Sequence, residues 1–489
     1  MSDAAGLPAS FLMSLLPGTR VVEGEGESVA IESPPHLYRP RIALTNVSPG
    51  LRGALDRLRE APVAYPALLG SVMQAEGPAG IAKLSQLWKR LSMSALLCYT
   101  LDEGGPQATI RPLSVAFRFS DQAIDEHQSV VLSRFAFLRT DQGRMLLECP
   151  LGCAELTLCS PQAAAIVHRL SRPATSEQLS AEVPGIDSRC AQGMLTLLAQ
   201  AQALVRLGDD GVNPEEADPT LAPWEFHDLL FHTRSRLGRH ANPYGGTFAW
   251  DGKFPSLPAV KEPWTTHTLE LARPDLDERA ATEPSFTTVL EQRQSIREHA
   301  DAPIHRDQLA EFLYRVAHVK QYVPEAGVSF RPSPAGGALH ELEIYPVVNR
   351  CEGLDPGIYH YNPFHHTLGQ VAAATPAMRA LVQMATMTAT MQTPPQILLI
   401  VAARFQRLQF KYQSMTYALI LKNLGALYQT MYLVATAMNL APCALGGGHA
   451  DLFVQATGLE YLAESSVGEF VLGTRGAQVP DRTKYATAR

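Results

Sequence analysis

Apolar residues recur every three or four positions between Phe410 and Leu440: Met415, Leu419, Leu424, Leu427, Met431, Val434 and Met438. No proline interrupts the run before Pro442. The spacing predicts one helix of about thirty residues, a rod of ~45 Å at ~1.5 Å rise per residue. Lys422, Asn423, Gln429 and Asn439 divide the run, which argues against a membrane span. Around it, helical patterns at Thr287–Gln294, Gln308–Val316, Pro376–Met387 and Leu452–Thr457 alternate with strand patterns at Leu342–Val348, Gly357–Tyr361, Pro395–Ala402 and Gly468–Leu472. Residues 284–489 are therefore expected to form an α+β domain, a sheet with a long central helix.

The pattern upstream differs. Short strands at Thr19–Glu23 and Ser28–Ile31, helices at Leu51–Arg59, Pro66–Ala75 and Ile81–Leu91, and alternating stretches at Ala95–Leu101 and Ala108–Pro112 suggest a winged-helix-like unit over 1–122. Strands Val130–Arg139 and Met145–Cys149, helices Pro161–Leu170, Ser176–Glu182 and Arg189–Ala201, and a closing strand Ala203–Arg206 repeat the theme over 123–213. Residues 214–283, rich in proline and acidic residues, read as a connector carrying one helix, Trp224–His240. The presumed recognition helices Ile81–Leu91 and Arg189–Ala201 carry few basic residues, so duplex DNA is a poor partner. A sheet edge that accepts an extended peptide needs no charge, and peptide binding is the expectation.

Composition narrows the picture. Across 489 residues the net charge is −7 at pH 7, which disfavours nucleic acid and anionic membranes as partners. Seven thinly spread cysteines suit a reducing cytoplasm better than a disulfide framework. Cys149, Cys153 and Cys159 lack a clear fourth ligand, and His227 and His232 are spaced five apart, so no metal site is expected.

Four clusters carry candidate chemistry. Arg293, Ser295 and Arg297 alternate, so two guanidinium forks and a hydroxyl can face one dianionic phosphate. Ser333, Pro334, Ala335, Gly336 and Gly337 are small residues that let backbone approach a flat ring closely. Leu445, Gly446 and Gly447 could do the same beyond Pro442. Lys411 and Tyr412 fall in the expected first turn of the long helix, where unpaired N–H groups favour a neutral amine and a tyrosinate.

The order of these clusters resembles the FMN-dependent nitroreductase superfamily, and more closely the SagB-type azoline dehydrogenases. The resemblance covers roughly residues 284–472. It is carried by Arg293-x-Ser295-x-Arg297, by Pro332 to Leu339 with His340, Glu343 and Tyr345, by Gly357-Ile358-Tyr359-His360-Tyr361, by Lys411-Tyr412, and by Asn423 to Ala426 with Gln429. It implies that Arg293, Ser295 and Arg297 hold the FMN phosphate, with Arg475 or Arg482 as a further contact. It also implies that Ser333 to Gly337 and Leu445 to Gly447 line the flavin, that Gln429 belongs to the cofactor site, and that Lys411 and Tyr412 are the catalytic pair. Which of the two is the base stays open.

The function so implied is oxidation of thiazoline or oxazoline rings to thiazole or oxazole in a ribosomally made peptide. The expected partners are an azoline-containing precursor peptide, bound through its leader by the N-terminal units, a second copy of the chain, and a cyclodehydratase as a candidate. The rival readings are an NAD(P)H-dependent nitroreductase or flavin reductase, azoline oxidation on a carrier-bound non-ribosomal peptide, and an inactive scaffold.

Overall fold

The structure is a computed structural model of the whole chain and describes residues 10–34, 39–120, 124–240, 242–263, 265 and 268–477. Arg482 lies outside the described residues. The chain divides into two compact units between Tyr244 and Gly245.

In the first unit a seven-stranded antiparallel sheet runs Val63–Ala64, Phe11–Leu15, Leu97–Asp102, Pro106–Pro112, Ala154–Leu158, Arg144–Glu148, Phe137–Asp141. A separate three-stranded sheet, Arg20–Glu23, Val29–Glu32 and Ile42–Leu44, precedes helices Pro49–Glu60, Tyr65–Glu76 and Pro78–Met93. Helices Pro161–Arg169, Ser176–Glu182 and Ser188–Gln200 follow the last strands of the large sheet.

This arrangement corrects the expected division at residue 122. Ile110 pairs with Leu156 across that point, and Met13, Ile110, Leu156 and Met194 share one hydrophobic core. Gly193 is part of the reason: a Cβ there would lie 2.5 Å from Leu101, so a bare backbone lets the later helix close onto the earlier strands. The strand Ala154–Leu158 finds its partner far upstream, and a local pattern does not reveal such a pairing. The expected connector is also split. Its helix is shorter than read, Phe226–Arg234, and buries Leu229 in the first core, whereas residues from Gly245 onward belong to the second unit.

The second unit is built on a seven-stranded antiparallel sheet, Thr268–Glu270, Thr367–Ala373, Gly357–Asn362, Leu342–Val348, Ile397–Arg404, Glu464–Thr474, Leu440–Leu445. The central strands are buried on both faces, which is why they read as continuous apolar runs. Ile344, Leu399 and Val401 face one core with Phe312, Ile420, Leu424, Leu427 and Met431. Tyr345, Leu398 and Ile400 face the other with Met378, Leu381 and Phe453. Helices thus cover both sides of the sheet.

The central helix is Thr416–Ala437, shorter at its start than the pattern suggested. Ser414 takes a left-handed backbone (φ 62°), and Tyr412–Gln413 forms a short antiparallel strand with Gly245–Gly246. Lys411 and Tyr412 therefore precede the helix rather than occupying its first turn. The unpaired N–H groups expected to polarise them belong to residues further on. No helix among the described residues is long and apolar enough to cross a membrane.

Candidate active site

Two clusters form beside the central helix. The first gathers Lys411 and Tyr412 against the loop before strand Leu342–Val348. Gly337 has a left-handed backbone (φ 64°), and a Cβ placed on it would lie 2.7 Å from Tyr412 Oη and 2.8 Å from Lys411 Nζ. Both polar heads thus converge on one side-chain-free point. Lys411 Nζ also sits 5.4 Å from the Tyr412 ring centroid and 5.7 Å from that of Phe248. The backbone behind the pair is fixed by Thr247 N–H and Phe248 N–H, which donate to Lys411 O at 2.9 and 3.2 Å, and by Thr247 Oγ1 donating to Gln413 Oε1 at 2.8 Å.

The loop itself is held from beneath. Gly336 N–H donates to Asn423 Oδ1 at 3.1 Å, and Asn423 Nδ2 donates to Glu341 at 2.9 Å. Burial pushes the Glu341 carboxyl up, against the opposing effect of the Asn423 hydrogen bond. Deeper still, Glu343 forms an ion pair with Arg404 and a hydrogen bond with His360, each at 3.0 Å. Burial alone would raise the Glu343 carboxyl, but Arg404, His360 and Arg331 outweigh it and hold it at about 2. Asn423, Glu341 and Glu343 are a polar foundation on which the loop rests: Asn423 bridges Gly336 and Glu341 by hydrogen bonds, and Glu343 is held by its charge contact with Arg404 and its hydrogen bond with His360.

This placement sorts the expected ring contacts. Pro334 and Gly337 are exposed, and Ala335 and Gly336 are half-buried. Ser333 is buried, lining a small internal cavity with Arg331, His340 and Glu341. The Gly336 N–H is already engaged by Asn423, so that amide is not the donor a flavin would meet.

The second cluster centres on Tyr432. Arg293 ends helix Phe286–Gln292, and its guanidinium carbon lies 5.2 Å from the Tyr432 ring centroid. Tyr432 Oη accepts from Ala444 N–H at 2.8 Å and shares a second hydrogen bond with Ser295 Oγ, also 2.8 Å away, in which either hydroxyl can donate. Ile296 N–H donates to Pro442 O at 2.8 Å, which seats the arginine segment against edge strand Leu440–Leu445. Arg297 is close enough to Cys443 to oppose the upward push that burial gives this thiol.

Arg475 reaches the same place through its backbone, as residue 299 pairs with residue 475. Leu445 ends the edge strand, buried. Gly446 and Gly447 follow it exposed, and a Cβ on Gly446 would meet nothing within 4 Å. Gln429 lies on the exposed side of the central helix.

Tyr432 escaped the sequence reading, as did the strand partner Gly245–Gly246 and Phe248. Tyr432 fits the apolar period of its helix and gives no sign of its polar role. Asn423 and Tyr432 are nine residues apart, about half a turn around the helix and ~14 Å along it. The two clusters therefore flank the helix on opposite sides.

An FMN fits this donor set. Two guanidinium groups and a hydroxyl suit a phosphate, with no carboxylate of the described residues within ion-pair distance of Arg293. Open backbone at Gly446 suits the approach of a flat ring. Among the described residues no cluster of three or more His, Cys, Asp or Glu side chains could hold a metal.

Sequence comparison supports an oxidoreductase in the second unit. Residues 290–474 match the nitroreductase family, and residues 130–241 match the cyanobactin oxidase ThcOx, so the chain couples a segment of the second type to a nitroreductase-family domain. A nitroreductase-type protein of Methanocaldococcus jannaschii is 29% identical over 183 residues, 37% of this chain and 84% of that one.

Two processing proteins are homologous over shorter stretches. The trifolitoxin-processing protein TfxB of Rhizobium leguminosarum bv. trifolii is 28% identical over 28% of this chain and 38% of its own length. The microcin B17-processing protein McbC of Escherichia coli is 28% identical over 27% of this chain and 50% of its own length. The chain thus spans half or less of either processing protein.

Proposed function

We propose that the protein is an FMN-dependent azoline dehydrogenase that converts thiazoline or oxazoline rings of a ribosomally made peptide to thiazole or oxazole. The observation that carries this reading is the convergence of Lys411 Nζ and Tyr412 Oη on Gly337. Aromatising an azoline removes a hydride from one ring carbon and a proton from its neighbour. FMN, when bound, supplies the two-electron acceptor, and dioxygen restores it. Lys411 and Tyr412 supply the base, held a hydrogen bond's length from whatever lies over Gly337. Arg293, Ser295 and Arg297 hold the phosphate, with Arg475 beside them, and Gly446 and Gly447 face the ring.

The reading includes a homodimer. Within one chain the arginine cluster and the glycine loop flank opposite sides of the central helix, whose outward residues include Tyr417, Leu421, Gly425 and Gln429. Packing this face on its twin would bring the loop of one copy toward the arginines of the other. The homology to peptide-processing proteins supports a precursor peptide as substrate; leader recognition by the first unit and a cyclodehydratase partner are part of the same proposal. All seven cysteines are free, the state a reducing cytoplasm maintains.

The test is mass spectrometry of a thiazoline peptide incubated with the FMN-loaded protein in air. A loss of about 2 Da per ring, the two hydrogens of a flavin oxidation, is expected. An unchanged peptide, together with rapid anaerobic bleaching of the flavin by NADPH, would favour the nitroreductase reading instead.

A further inference from the structure

Residues 245–261 belong to the stretch whose sequence reads as connector, yet they build a wall of the candidate site. Trp250 and Phe254 stand with ring centroids 5.6 Å apart, 41% and 63% exposed. With Gln406, Gln409, Phe410 and Tyr412 they enclose a cleft of about 580 Å³. Tyr412 is thus shared between the cleft and the convergence point at Gly337.

The wall is anchored rather than loose. Arg407 donates to Leu257 O at 2.5 Å, Arg331 to Ala259 O at 3.2 Å, and Lys261 pairs with Glu464 at 2.6 Å. Arg407 is itself buried, 1% exposed. Large aromatic rings held open to water in this way are costly unless a ligand covers them.

The lining also says what kind of ligand. No acidic or basic side chain belongs to it, so the phosphates of a nicotinamide dinucleotide would be desolvated there without partners. The Gln406 and Gln409 amides suit a peptide backbone, and the aromatic faces suit a flat or apolar neighbour of the ring. The volume lies within the ~300–1,000 Å³ of ordinary small-ligand sites, enough for a heterocycle and one adjoining side chain.

We propose that this cleft is a specificity subsite for an uncharged apolar or aromatic residue next to the azoline, with Trp250 and Phe254 as the residues that set the preference. The proposal rests on the azoline-oxidation reading. The test compares thiazoline peptides carrying Phe, Gly or Asp beside the ring, with the full-length FMN-loaded protein and its W250A and F254A variants.

The wild type is expected to prefer Phe over Asp by about tenfold or more in kcat/KM. Both variants should narrow that preference to about threefold or less, chiefly through KM, while keeping the flavin absorbance and melting temperature. Variants that retain the full preference would overturn the assignment while leaving azoline oxidation standing. So would variants that change the sedimentation coefficient and leave the preference intact, because the aromatic pair would then be a contact between copies. A wild type that oxidises none of the three peptides refutes the azoline reading itself, and the subsite with it.

Discussion

Replacing Gly337 by alanine tests the convergence of Lys411 and Tyr412 directly. The new methyl carbon would sit 2.7 Å from Tyr412 Oη and 2.8 Å from Lys411 Nζ, closer than real Cβ contacts come, so both heads must retreat by several tenths of an ångström. Alanine in the left-handed backbone at φ 64° adds a cost of about 1–2 kcal/mol. For a unit of this size that lowers the melting temperature by roughly 2–8 °C. A misplacement near 1 Å at reacting groups costs about a hundredfold in rate, so kcat should fall about ten- to a hundredfold.

Gly458 is the control: its φ is 74°, and a Cβ there meets nothing within 4 Å. Thermal melts and turnover of a thiazoline peptide, run on G337A and G458A side by side, separate backbone strain from crowding. Both should melt earlier, and only G337A should lose turnover. If the two variants turn over equally fast, the pair does not work at Gly337 and the reasoning fails.

R293Q removes one fork of the phosphate cluster, and since a hydrogen bond to a charged group is worth about 1.5–3 kcal/mol, FMN should bind roughly 10- to 150-fold more weakly by fluorescence titration. Mixing R293Q/R297Q with K411A/Y412F subunits should restore part of the activity that each lacks alone if one site draws on two copies; no recovery in verified mixed dimers would place each site within one chain. His340 is buried and held neutral, its pKa lowered to about 3 by burial and by Arg331 and Arg407. The unfolded chain takes up that proton below about pH 6.5 and the folded one does not, so stability falls on acidification from about 6.5 toward 3, by up to ~1.4 kcal/mol per pH unit. Urea unfolding should show the slope in wild type and a shallower one in H340N; parallel curves would count against it.

The sheet and the helices of the second unit were legible because their strands are buried on both faces and their helices keep a clean apolar period. Leu342–Val348 was readable to the residue for that reason. What the pattern concealed was non-local. Lys411 and Tyr412 look helical by spacing, but the Gly245–Gly246 strand far upstream claims Tyr412 and Gln413 first. The single sheet of the first unit depends in the same way on Ala154–Leu158 finding Pro106–Pro112. The site residues stood out as residue types with known chemistry. Several of their supports did not: Tyr432 sits within an apolar helix, and Trp250 and Phe254 within a proline-rich stretch.

The grip on residues 257–259 falls on carbonyl oxygens, groups every amino acid carries, rather than on particular side chains. A wall clamped by its main chain is an interchangeable panel. Its outward rings can be swapped for others while Arg407 and Arg331 go on setting its height above Tyr412, so under the proposed subsite the choice of peptide would be retuned without touching the machinery behind it.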